Sequence, residues 1–246
     1  MPQEPKGPAV FPATRWSLIG SMEGPLAEGA LAELCRLYWL PLYTFSRHEG
    51  LNPEDAEDLT QEFFRKLVEE DAAWLRSADP GRGRLRTLLM RVLQRRIVDF
   101  RRHTMREKRG GGRLVALDIA GAEALLAAHP GASAEEEFDR HWAGTVLDLA
   151  LQRLEADYQA VERRASFDVL RTFLGLDGET PDLTRVQEAL GLSPNAARKA
   201  VSRFRERFRA TLRLVIAETL GDPSEDAIDD ELRALRTALQ RSRGKK

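Results

Sequence analysis

The chain has 246 residues, 42% apolar and 31% charged, with a net charge of −1 and a single cysteine. That length suits one large domain or two small ones with a linker, and the composition suits a globular protein built from helices. A lone Cys35 excludes an internal disulfide, no apolar run approaches the ~20 residues of a membrane span, and the Pro-rich start lacks the pattern of a secretory signal.

Arg, Leu, Ala and Glu dominate and favour helix, whereas strand-like runs of Val, Ile and Thr are scarce. Residues 1–13 read as a loose, flexible N-terminus, and Thr14 can cap a short helix in RWSLIGSM. Residues 26–48 place Leu31, Leu34, Cys35, Tyr38, Leu42 and Phe45 at helical spacing. Cys35 is expected as a buried thiol in a reduced, cytoplasmic setting, and Pro41 is expected to bend or interrupt the helix. A second helix follows in NPEDAEDLTQEFFRKLVEED, residues 52–71. Asn52 suits its N-cap, Pro53 its first position and Asp55 a capping-box acid. Ala56, Leu59, Phe63 and Leu67, with Phe64 and Val68, form its inner stripe. Eight carboxylates crowd this segment against only Arg65 and Lys66, more acid than solubility requires.

After a loop at SADPGRGR the sign reverses. LRTLLMRVLQRRIVDFRRHTMREKR reads as one long helix with a buried stripe of Leu85, Leu88, Leu89, Val92, Leu93, Ile97 and Phe100, ended by Gly110, Gly111 and Gly112. Residues 82–113 hold twelve Arg and Lys against Asp99 and Glu107, a net of +10. Self-repulsion on that scale disfavours a purely structural or solubilising role and fits a polyanion. Arg86, Arg91, Arg95, Arg96, Arg101 and Arg102 are the candidate nucleic-acid ligands, with Trp74 and Leu75 in the preceding loop as apolar contacts for an unstacked base.

Residues 110–132 read as a linker with one short helix in GAEALLAAH. Ser133 with Glu136 makes a capping box that opens a second helical domain over 133–218, with Phe138, Trp142, Val146 and Leu149, beside Leu147, Leu151, Leu154 and Tyr158, on one apolar face. Within it, LTRVQEALGLSPNAARKAVSRFRERFR reads as a helix-turn-helix. Leu183, Val186, Ala189 and Leu190 pack the first helix. Leu192 fills the turn, Ser193 caps the second helix, and Ala197, Val201, Phe204 and Phe208 line its buried face. The opposite face offers Asn195, Arg198, Lys199, Ser202, Arg203 and Arg205, whose amide and guanidinium groups suit base edges and phosphates. Residues 219–246 form a charged extension, acidic then basic, for which packing on the second domain, regulation and simple mobility are all open.

An enzyme is a poor reading: His48, His103, His129 and His141 are scattered, no HExxH or cysteine cluster suggests a metal, and no phosphate-binding Gly loop appears. No cofactor is expected. By contrast, DAEDLTQEFFRKLVE resembles the polymerase-binding helix of bacterial sigma factors, and RGRLRTLLMRVLQRRIVDFRRH resembles the promoter-melting segment of their extracytoplasmic-function group. The helix-turn-helix is similar to the promoter-reading domain of that group, and FPATRWSLI with YWLPLYTF resembles its planctomycete-type subgroup. The resemblance spans most of residues 11–218. It implies an all-α protein of two small helical domains joined by a linker: a domain at 14–109 that binds core RNA polymerase and the minus-ten element, and a helix-turn-helix domain at 133–218 that binds the minus-thirty-five element. It also implies a non-catalytic initiation subunit, cytoplasmic, with core polymerase and promoter DNA as partners and room for an anti-sigma or other regulatory partner, but no membrane. Asp55, Asp58, Gln61, Glu62 and Arg65 are the polymerase-binding candidates by position. Leu88 and Leu89 stand where the family commonly has Trp-Leu, and Leu93, Gln94 and Arg95 where it has Ala-Arg-Asn; Asp99 matches. Two other classes compete, a dimeric helix-turn-helix regulator that is not a polymerase subunit and an RNA-binding or anti-termination factor. Burial of the carboxylates against the chain's own arginines would count against the initiation-factor reading.

Overall fold

Every regular element in the computed structural model is helical among the residues it describes, which are 26–69, 84–104, 118–127, 132–158, 161–176, 181–220 and 223–243. The expected helix at RWSLIGSM, the Trp74–Leu75 loop and the Gly110–Gly112 stop lie outside them. The chain divides into two compact units, one running to Thr145 and resuming at Ile216, the other Val146–Val215.

In the first unit, α1 is Leu26–His48, α2 is Pro53–Glu69 and α3 is Leu85–Thr104. α1 runs through Pro41 and is not interrupted there. The burial of its neighbours explains the tolerance: Leu37, Tyr38 and Leu42 are fully buried around it, and that packing outweighs one lost backbone bond. A tight turn with Gly50 at φ 90° joins α1 to α2, and the Leu51 N–H donates back to the Ser46 carbonyl at 3.2 Å. Asn52 caps α2 as its sequence predicts. Its Oδ1 accepts from the Asp55 N–H and its amide donates to the Asp55 carboxylate, both at 2.8 Å. Ala56, Leu59, Phe63 and Leu67 then face inward.

α3 buries Leu85, Leu89, Leu93 and Ile97, a seam at intervals of four. Leu88, Val92 and Phe100, expected in the same stripe, stay half-exposed. Seven apolar positions are more than one helix seam can cover. α4, Ile119–Ala127, starts two residues before the expected helix, and the Asp118 carboxylate caps it on the Gly121 N–H at 2.9 Å. Its Glu123 clasps α1: both Arg47 and the Tyr43 hydroxyl donate to it, at 2.6 and 2.5 Å.

The next helix, α5 (Ala134–Ala156), opens with the expected capping box of Ser133 and Glu136. Its first half belongs to the first unit, where Phe138 packs edge-on against Phe45 at 6.4 Å. The two compact units thus meet within α5, after Thr145. A helical period identifies an apolar face but not its partner, and this face serves both units. The same applies to the charged extension. Its helix Glu225–Arg243 (α9 below) belongs to the first unit, where it buries Ile228, Leu235 and Ala238.

The second unit holds the rest of α5, then α6 (Val161–Arg171), α7 (Leu183–Leu190) and most of α8 (Pro194–Glu218). Tyr158, Phe167 and Phe204 form a ring cluster with centroids 5.7–6.0 Å apart. Asp182 caps α7 by accepting from the Thr184 N–H at 2.8 Å, and Gly191, at φ 62°, ends it. Ser193 caps α8 through the Ala196 N–H at 3.4 Å, as expected. Val186, Ala197, Val201, Phe204 and Phe208 are buried; Ala189, expected to pack, is exposed.

Candidate nucleic-acid interface

The acidic face of α2 remains at the surface. Asp58 and Arg65 are exposed, while Asp55, Gln61 and Glu62 are half-exposed. Asp55 is engaged by the Asn52 cap, Gln61 donates to the Glu57 carboxylate at 3.0 Å, and Glu62 pairs with Lys66 at 3.0 Å, one turn on. These five residues share one solvent-facing region of a single helix. Surface pairs of this kind are worth little to stability, so they hold the acid face in place without consuming it.

On α3, Arg91, Arg95, Val98 and Arg102 are all exposed and follow one another at i, i+4, i+7 and i+11, which aligns them on one face. Arg96 lies with its guanidinium 5.9 Å from the Phe63 ring, and Arg101 donates to the Glu49 carbonyl. Arg102 is 3.6 Å from Asp99. The structure corrects one candidate. Arg86 is not on the exposed basic face: only 8% exposed, it stacks 4.6 Å over the Trp142 ring and pairs with Asp139 of α5 and Glu231 of α9. Position 86 lies one residue from the buried seam, so it turns inward once α5 and α9 offer carboxylates there.

Between α2 and α3 lies an open groove of about 760 Å³, lined by Leu59, Leu88, Val92 and Phe100 and edged by Glu62, Lys66, Arg95, Arg96 and Asp99. It combines an aromatic ring, an apolar floor and guanidinium edges, the elements that hold an unstacked base and its phosphate. Periodicity alone places Leu88, Val92 and Phe100 in the core stripe. The excess width of the apolar stripe was the signal that part of it faces elsewhere.

In the second unit, Asn195, Arg198, Lys199, Ser202, Arg203 and Arg205 are all exposed. Asn195, Arg198, Lys199 and Ser202 stand opposite the buried Ala197, Val201, Phe204 and Phe208. Arg198 donates to Asn195 at 3.0 Å and the Ser202 hydroxyl to Glu206 at 3.1 Å. Arg205 is braced at the edge of this face, with two N–H bonds of 2.8 and 3.0 Å to the Phe173 carbonyl. Among the described residues no group of three or more His, Cys, Asp or Glu is placed to hold a metal, and no helix is long and apolar enough to cross a membrane.

Residues 38–107 match the family model of Sigma-70 region 2. Comparison with curated proteins gave no match, and neither did comparison with solved structures. The matched stretch contains both the acidic face of α2 and the arginine row of α3. A Sigma-70 region 2 domain implies a sigma factor's partnership with RNA polymerase and promoter DNA.

Proposed function

We propose that this chain is a sigma factor of the extracytoplasmic-function group, of the planctomycete type, acting in the cytoplasm as a non-catalytic subunit of RNA polymerase. The observation that carries this reading is the placement, within residues 38–107, of an exposed acid face on α2 beside an exposed arginine row on α3. The acid face steers and orients a basic surface of core polymerase, a role that suits electrostatics. Arg91, Arg95 and Arg102 neutralise promoter phosphates, and the groove with Phe100 receives a base from the opened strand. The exposed face of α8 reads the upstream element, with Arg198, Lys199 and Arg203 on base edges or phosphates.

Asp58→Lys with Glu62→Lys tests the partner. The purified chain should bind core RNA polymerase, and the double reversal should abolish that binding while its thermal midpoint and helix signal stay unchanged. Unaltered affinity would remove polymerase as the partner of α2. A dimeric regulator that uses only α7 and α8 predicts operator binding without polymerase, and it leaves the acidic α2 and basic α3 without a task.

A further inference from the structure

α9 carries its inward residues at 228, 231, 235 and 238, the i, i+3, i+7, i+10 spacing of one seam. Three of them, Ile228, Leu235 and Ala238, are apolar. The fourth is Glu231, whose side chain is 2% exposed. A carboxylate at a seam position is costly, because burying its charge sacrifices hydration that an apolar residue would not need. Burial indeed raises the Glu231 carboxyl above its ordinary value, against the pull of Arg86 and Arg84. What Glu231 gains there is specific: Oε1 is 2.9 Å from Arg84 Nε and Oε2 is 3.3 Å from Arg86 Nε. Arg84 immediately precedes α3, whose first turn holds no acid of its own. The carboxylate thus bridges two guanidinium groups at the positive end of the basic helix, as a phosphate would.

We propose that α9 is an autoinhibitory clasp, in which Glu231 takes the place of a nucleic-acid phosphate and withholds Arg84, which shares a face with Arg91, Arg95 and Arg102, from the strand that the rest of α3 binds. The proposal rests on the reading of α3 as a nucleic-acid helix. Only Arg84 is released, because Arg86 keeps Asp139 and Trp142 when α9 lifts. A strand laid along Arg91, Arg95 and Arg102 competes with Glu231 for the N-terminal end of the row.

The test is binding of a fluorescent single-stranded oligo-dT 20-mer to the full chain by anisotropy, from low salt upward. Glu231→Gln should bind about three- to ten-fold more tightly than wild type at low salt. Its plot of log affinity against log salt should steepen by roughly 0.7, one added phosphate contact. Adding Arg84→Gln should remove most of the gain. Equal or weaker binding by a folded Glu231→Gln overturns the clasp and makes α9 a structural cap. Hydrogen exchange on the unaltered chain covers the case in which the variant does not fold: a saturating oligonucleotide should speed exchange in 225–243, and unchanged or slower exchange overturns the proposal. If neither protein binds the oligonucleotide, the reading of α3 itself fails.

Discussion

α3 and α8 are both basic helices, yet they hold their charge differently. On α3 one arginine is turned into the core, one lies over Phe63 and one reaches back to Glu49, which leaves Arg91, Arg95 and Arg102 as an outward row. On α8 the whole candidate face, from Asn195 to Arg205, is exposed. The difference follows from the neighbours. α3 meets carboxylates on α5 and α9, whereas the side of α8 that faces other helices is lined by Val201, Phe204 and Phe208 and draws no cation inward. Formal charge alone therefore overstates the outward charge of α3.

The sharpest way to break this contrast is to remove one arginine from each helix. Arg86→Ala takes one of two guanidinium partners from the buried Glu231 and uncovers Trp142, so urea unfolding should show a loss of about 1.5–3 kcal/mol. Arg198→Ala should leave stability within about 0.5 kcal/mol. A tolerated Arg86→Ala would mean that the inward arginine contributes nothing to the fold.

The second contrast lies in what the outward arginines read. Arg198→Ala or Arg203→Ala should weaken binding to the preferred upstream sequence by about 1–3 kcal/mol and leave other duplexes little changed. Equal loss on every sequence, in a competition assay, would make them phosphate clamps, the role proposed for the row on α3.

The smallest effect is in acid. The hydrogen bond from Arg47 lowers the Glu123 carboxyl; burial pushes Glu137 up, but hydrogen bonds from His141 and Arg140 outweigh it and the net is downward. A lowered carboxyl contributes stability above its ordinary value of 4.5, and that stability is lost as pH falls through the lowered one. Glu231, raised by burial, acts in the opposite sense and offsets part of the loss. The first unit should therefore loosen below pH 4.5 while the second keeps its helices. Every tryptophan precedes Thr145, so emission reports on the first unit alone. A red shift in emission that precedes the fall in helix signal supports this order, and coincident transitions contradict it.

Much of the local structure is legible in the residues themselves. Asn52–Pro53–Asp55, Ser133 with Glu136, and Ser193–Pro194 start helices where they stand, because a cap needs only groups three or four residues away. The separation of acid on α2 from base on α3 is likewise a property of the chain, and so are the exposed positions of α8, which follow from a period of 3.6 around a clear apolar stripe. Tertiary structure decided the rest. It turned Arg86 inward, left Leu88, Val92 and Phe100 in a groove, divided α5 between two units and brought α9 to the first of them. Each of these depends on what a helix distant in sequence presents at the point of contact. Periodicity identifies a face, but only long-range packing selects which residues cover it.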